Sequence, residues 1–185
     1  MNATAPQIQN IKGHFYVSCK YGFKKTLQLI CANKHIKIKF HHNFAVVRNK
    51  FVYIIWYERG FVNVTKIKSI SKLHKSMSHF CKLFKVSSNN KKVTIDNITA
   101  SGKFHQCINL KKLALFLEAQ QFQTRYNRYK FPAIFVKIYK HGTLTIFGSG
   151  SFNIVGCRSL DHLSAVYNES VNNINQWKNQ NVNII

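Results

Sequence analysis

From Tyr129 to Ser159 the chain alternates apolar and polar residues in short runs (YKFPAIFVKIYKHGTLTIFGSGSFNIVGCRS), broken by turn signals at Lys140-His141-Gly142 and Gly148-Ser149-Gly150. Period-two alternation between turn residues predicts an antiparallel meander with one covered face. A weaker copy, NFAVVRNKFVYIIWYERGFVNVTK, runs from Asn43 to Lys66. Phe44-Ala45 aligns with Phe131-Pro132 and Lys50 with Lys137, at an offset of about 87 residues. Tyr57 aligns with Phe147, Gly60 with Gly150 and Asn63 with Asn153, at an offset of about 90. A three-residue insertion near His141 accounts for the step.

Around these meanders the remaining elements also occur twice. Gln7 to Val17 reads as a strand, and Lys24 to Asn33 as a short helix with Leu27, Ile30 and Cys31 on one face. Several strands follow from Lys34 to Thr65. Ser69 to Lys85 reads as a longer helix, capped by Ser69, with Ile70, Leu73, Met77, Phe80 and Phe84 inward. After the polar SSNNKK, the order returns as a strand (Val93 to Gly102), a helix (Asn109 to Ala119), the meander, and a second long helix (Ser159 to Trp177). In that helix Leu160, Leu163, Val166, Val171 and Ile174 read as inward. The organisation expected is a tail (residues 1–6), repeat 1 (7–86), a linker (87–92), repeat 2 (93–178) and a C-terminal tail (179–185). Each repeat is strand–helix–four strands–helix, an α+β arrangement. Neither need stand alone, so one pseudo-twofold domain with a continuous sheet is expected.

Charge narrows the function. Among 185 residues, 28 Lys and Arg face 5 Asp and Glu, a formal net charge of +23. So one-sided a balance opposes compaction and calls for a polyanion, nucleic acid ahead of an anionic membrane or an acidic protein. No apolar run is long enough to span a bilayer, and MNATAPQIQN lacks the basic and apolar regions of a signal peptide. Cys19, Cys31, Cys81, Cys107 and Cys157 are odd in number and widely spaced, as free thiols in the cytosol or nucleus would be.

Catalytic chemistry is poorly supported. Glu58, Asp96, Glu118, Asp161 and Glu169 are scattered, with no pair spaced for general acid–base work. His74, His79 and Cys81 lack a fourth ligand and read as structural, as does His105-x-Cys107. Gly148-x-Gly150 lacks the Lys-Ser/Thr and following helix of a phosphate loop. No cofactor or metal is expected. What remains is aromatic: Phe44, Tyr57, Phe131 and Phe147 form two matched pairs. They read either as ordinary core residues or, in a basic repeated protein, as apolar wedges for base steps.

At these residues the sequence resembles the core domain of the TATA-box-binding protein family, over nearly the whole chain. PQIQNI (Pro6 to Ile11) and IDNIT (Ile95 to Thr99) resemble the family's paired first strands. KFPAIFVKI (Lys130 to Ile138) and LTIFGSGSFNIVGCR (Leu144 to Arg158) resemble its second-repeat stirrup strand and hairpin. YIIWYERGFVNVTK (Tyr53 to Lys66) keeps the shape of the first hairpin with few identities.

The resemblance implies a saddle: a curved ten-stranded antiparallel sheet beneath four helices, binding and bending A·T-rich DNA from the minor groove. It implies wedges at Phe44 with Tyr57 and at Phe131 with Phe147. Base-edge contacts would come from Asn10 and Asn97, Ala45 and Pro132, and Thr65 with its partner Val155. Phosphate contacts would come from Lys50, Lys137, Lys68 and Arg158. Lys12, Thr99, Asn63 and Asn153 replace family valines at the groove. Tyr126-Asn127-Arg128-Tyr129-Lys130 replaces the acidic stirrup that docks general transcription factor B, so a non-standard partner is expected. The Lys-, Asn-, Ile-, Phe- and Tyr-rich composition suits an A·T-rich genome, that of a divergent paralogue or a large DNA virus. The expectation is therefore a non-enzymatic transcription initiation factor acting on double-stranded DNA with the transcription machinery. Its place would be the nucleus or a site of viral transcription. The alternative is a non-specific nucleic-acid-binding or scaffold module.

Overall fold

The computed structural model describes residues 3–19, 22–31, 36–88, 92–138 and 140–182. Among them, in chain order, are β1 (Gln7–Ser18), α1 (Phe23–Cys31), β2 (Lys37–Phe40), β3 (Phe44–Arg48), β4 (Val52–Trp56), β5 (Phe61–Ile67), α2 (Ile70–Phe84) and β6 (Ser87–Ser88). There follow β7 (Thr94–Lys103), α3 (Leu110–Ala119), β8 (Gln123–Asn127), β9 (Phe131–Ile138), β10 (Gly142–Phe147), β11 (Ser151–Cys157) and α4 (Leu160–Val182). Two compact units result. One is Asn10–Asp96; the other joins the residues up to Gln9 to those from Asn97 onward.

In the Asn10–Asp96 unit the strands run β2-β3-β4-β5-β1, every pair antiparallel. In the other the order is β7-β11-β10-β9-β8, again antiparallel. Both follow the strand–helix–four strands–helix sequence. Alternation decides which face the helices cover. In β5, Val62, Val64 and Ile67 are buried while Phe61, Asn63 and Thr65 are half-buried on the other side. The buried set meets α2, where Phe80 packs edge-on against Phe15 at 5.5 Å and Tyr53 at 5.0 Å. Tyr53 satisfies its buried hydroxyl by donating to the Ser76 carbonyl at 2.9 Å. In the second unit Ile134, Phe152, Ile154, Leu113 and Val166 form the corresponding core.

The helix caps follow the sequence. Ser69 accepts from the Lys72 amide at 3.3 Å, Asn109 from Lys112 at 3.1 Å and Ser159 from His162 at 3.0 Å. Each supplies an otherwise orphan N–H, worth about 1 kcal/mol. Four expectations need correction. α4 runs five residues beyond Trp177, to Val182, and its Leu160, expected inward, is exposed. Ser87 and Ser88, read as linker, form a short strand against Val17 and Ser18. Ala3 and Thr4, read as tail, bridge to Phe104 and bond the Lys103 carbonyl. The Cys31 side chain and residues 32–33 of the expected first helix, 89–91 of the linker and 183–185 lie outside what is described.

Both units carry a β-bulge at the same place. Pairing of β1 with β5 shifts between Ile11 and Gly13, and that of β11 with β7 between Ile154 and Cys157. The bulged residues Lys66 and Gly156 take positive φ, 64° and 88°. The two hairpins also share a left-handed glycine, Gly60 and Gly150; a Cβ at Gly150 would lie 2.3 Å from the Phe104 carbonyl oxygen.

Candidate nucleic-acid interface

Each unit leaves one strand face without a helix, and cross-strand register sets its composition. In the second unit Ser101, Asn153, Thr145, Phe135 and Arg125 lie in one row across β7, β11, β10, β9 and β8. A neighbouring row holds Val155, Thr143, Lys137 and Gln123. Near the β10–β11 turn Phe131, 42% exposed, meets Phe147 edge-on at 5.9 Å and lies nearly parallel to Phe135 at 5.4 Å. Asn97 turns its Oδ1 to the Gly156 amide, 2.7 Å, and its Nδ2 to Thr99 Oγ1, 3.3 Å.

The first unit repeats the plan with different residues. His14, Asn63, Ile54, Val46 and Lys39 make the row equivalent to Ser101 through Arg125. Tyr16, Phe61, Trp56 and Phe44 make the next. Asn10 Oδ1 accepts from the Lys66 amide at 2.9 Å and from Thr65 Oγ1 at 3.2 Å, the counterpart of Asn97 on Gly156. His14 Nδ1 meets Asp96 Oδ1 at 2.6 Å, both side chains half-buried. In the second unit a neutral pair holds that position, Gln9 Nε2 donating to Ser101 Oγ at 2.8 Å. A cavity of about 730 Å³ opens over the first unit's face, walled by Tyr16, Trp56, Phe61 and His14.

The structure brings together Asn10, Thr65, Lys12 and Asn63 on one open face, and Asn97, Thr99, Asn153 and Val155 on the other. Phe131 and Pro132 are exposed on the second unit, and Phe147 is half-buried beside Phe131. Lys68 and Arg158 are exposed just after β5 and β11, and Lys137 is exposed on β9. Three first-unit assignments are corrected. Trp56, 40% exposed, takes the register of Phe147, because the first hairpin loop holds one residue more; Tyr57 sits in that loop, its hydroxyl donating to the His41 carbonyl at 3.3 Å. Phe44 pairs directly with Trp56, whereas Phe147 pairs with Ala133, so Phe44 and Phe131 are not equivalent in register. Arg48, opposite Val52, takes the register of Lys137, opposite Thr143.

Lys50 lies in the β3–β4 turn, its ammonium 6.0 Å from the Phe51 ring, which in turn meets His79 of α2. That contact chain places Lys50 toward the helices, where burial first and the Lys50 charge second hold His79 below the usual imidazole pKa. Ala45 is fully buried on the helix side of β3 and cannot touch a ligand on the open face. Sequence reading missed Trp56, Tyr16, Phe61, His14 and Asp96. The alternation Lys12-His14-Tyr16 along β1 was the available signal for two of them.

Fold and faces together define a basic α+β protein of two like repeats, each offering a bare antiparallel face set with aromatic and amide side chains. Residues 92–177 match the family model for transcription factor TFIID, or TATA-binding protein (TBP). A TATA-box-binding protein from Picrophilus torridus is 33% identical over 75 residues, which are 40% of this chain and 39% of that protein. The match thus spans well under half of the curated relative. The solved structure of Methanococcus jannaschii TBP aligns with a TM-score of 0.75 and 19% identity, covering 94% of this chain and 99% of that one. The chain carries a TBP-like core domain, and its two-repeat α+β fold is the one the resemblance implied.

Proposed function

We propose that the chain is a DNA-binding transcription initiation factor that engages promoter DNA from the minor groove and bends it. The observation that carries this reading is the contact of exposed Phe131 with half-buried Phe147 beside the Asn97–Asn153 amide face of the repeat that matches the family model. Rings in that position can enter a base step and unstack it, while amides and small side chains accept the groove floor. The net charge of +23 supplies the sequence-independent attraction to phosphate. The role asks for no bond-making chemistry of the protein, and its setting is the nucleus or a site of viral transcription. Duplexes selected from a random pool, under competitor at physiological salt, test it. A preferred A·T-containing sequence is expected; binding that collapses uniformly with salt, without preference, overturns it.

One observation favours a second reading, a module that holds nucleic acid without reading a duplex along its whole length. The first unit's face carries two carboxylates, Asp96 and Glu58, beside its cavity. A carboxylate on the floor of an A·T minor groove would meet only acceptors.

A further inference from the structure

Position by position, the first unit has exchanged a flat face for a walled one. Tyr16 stands where the second unit has Lys103, His14 where it has Ser101, and Phe61 where it has Ser151. Asp96 stands where it has Gln9. The rings pack on one another as a wall: Tyr16 to Phe61 at 59° and 5.2 Å, His14 to Tyr16 at 87° and 5.8 Å, and His14 to Phe61 at 38° and 4.8 Å. Small side chains make a floor for a groove; inclined rings make the sides of a slot. At about 730 Å³ the space is within the range of small-molecule sites, ~300–1,000 Å³.

We infer that this slot takes an unpaired guanine base, stacked against the aromatic wall formed by Trp56, Phe61 and Tyr16. The inference deepens the nucleic-acid reading and rests on it only for the source of the base. Aromatic walls hold any base by its π-face, so the polar edge must choose among them. That edge is acceptor-rich. Asp96 spends Oδ1 on His14 and has Oδ2 left, and Asn63 adds an amide oxygen from the same row as His14. Guanine is the base that presents two adjacent donors, N1–H and the exocyclic amino group. Adenine and cytosine each set a ring acceptor beside their amino group, and thymine offers one N–H between two carbonyls. Two of the chain's five acidic residues line this one cavity, in a protein with 28 Lys and Arg, and a site for phosphate alone would exclude them. Lys12 and Arg59, on the same cavity, supply cations for the attached phosphates.

The test titrates the full chain with an oligothymidylate of about nine nucleotides, carrying one central guanine, inosine, adenine or no replacement. Anisotropy of a dye on the strand's 5′ end is the readout for the native chain and every variant, and Trp56 quenching in the native chain, with W56F subtracting Trp177, checks that the base reaches the wall. The guanine strand is expected to bind about tenfold tighter than the inosine strand, which lacks only the amino group. D96N, its folding checked by thermal melt, should abolish that difference without weakening the plain strand. W56A should weaken the guanine strand about tenfold. Equal affinity for all four strands overturns the inference, as does W56A binding like the native chain. Guanosine monophosphate binding as tightly as the guanine strand keeps the site and assigns it to a free nucleotide. Duplex binding, measured in parallel with F131A/F147A, separates the two readings. Loss of guanine preference with intact duplex selection sinks this inference alone; the reverse sinks only the duplex reading.

Discussion

Asn97 accepts a hydrogen bond from the Gly156 amide at 2.7 Å, and in the other unit Asn10 accepts from the Lys66 amide at 2.9 Å. Both amides belong to bulged residues at positive φ. A bulge frees a backbone N–H from the ladder, and the asparagine oxygen satisfies it. The oxygen's work is structural, so the amide nitrogen is what either asparagine has left to offer a ligand. N97A should lower stability by about 1 kcal/mol, the net worth of one hydrogen bond, because water reaches the exposed Gly156 amide in its place. N97D keeps the accepting oxygen and replaces the nitrogen. It should melt near the native temperature yet lose duplex affinity, since a second carboxylate oxygen faces groove acceptors. Equal losses of stability in N97A and N97D would remove the distinction between the two roles.

Phe131 and Phe147 carry the bending prediction. Each unstacked base step costs a few kcal/mol, which a wrapped interface returns. F131A/F147A should bind duplex about tenfold or more weakly, ~1.4 kcal/mol, and should bend it less. Energy transfer between dyes at the duplex ends, or ring closure of short circles, reads the angle directly. A straight duplex on the native protein would sink the wedge assignment even if binding were tight.

How far the sequence revealed this surface depended on pattern at two scales. Period-two alternation, cap residues and the internal repeat were enough for both units, since each is set by local burial and hydrogen bonding. The strand positions of Asn97, Asn153 and Phe147 in the second repeat were legible because the motif around Phe147 is intact. The first-repeat positions were not, because equivalence there depends on loop length. One extra residue between Trp56 and Phe61 moves Tyr57 off the strand and puts Trp56 in register, and a one-residue slip exchanges faces. A separate, two-residue shift between β3 and β9 hid Arg48 behind Lys50, and the parity of β3 keeps Ala45 off the open face. His14 and Asp96 are 82 residues apart in sequence, and no local pattern could pair them.

On α2, Lys72, Lys75 and Lys82 are exposed on the helical side of the first unit. They add to the long-range field without facing the strand surface. Reversing all three to Glu should lower affinity for non-specific duplex severalfold and flatten its salt dependence, leaving the selected sequence unchanged. A changed consensus would move the reading surface to the helices.

We expect the turn at Asn127–Lys130 to set partner choice. Asn127 Oδ1 accepts from the Tyr129 and Lys130 amides at 3.1 and 3.3 Å, which fixes the turn, and Tyr129 is 87% exposed beneath the Arg128 guanidinium. A partner built for an acidic stirrup meets like charge here, a cost of several kcal/mol. No stable ternary complex with an ordinary factor B on TATA DNA is expected, whereas R128E/K130E should gain one. Gel-shift assembly with the ordinary factor decides it, and a complex that forms readily on the native protein would refute the charge argument.

Asn153 is the residue we expect to alter the readout of the duplex. It lies half-buried between Ser101 and Thr145 on the open face, where the resemblance implies a valine. In the minor groove every A·T pair shows acceptors, and G·C adds one amino donor. Valine packs on the A·T floor and offers that amino group nothing, whereas an asparagine oxygen can accept from it. Tolerance of G·C at the base pair over Asn153 follows, within a site that still needs an easily kinked A·T-containing step for Phe131 and Phe147. The equivalent Asn63 lies beside His14 and the first unit's cavity, so its effect on duplex sequence should be smaller. Duplex selection repeated with N153V and N63V tests both statements. N153V should shift the consensus toward plain A·T at one position, with discrimination of about 1–3 kcal/mol against G·C there, and N63V should leave it nearly unchanged. An unchanged consensus in N153V would mean that this asparagine bonds water in a wet interface and reads no base.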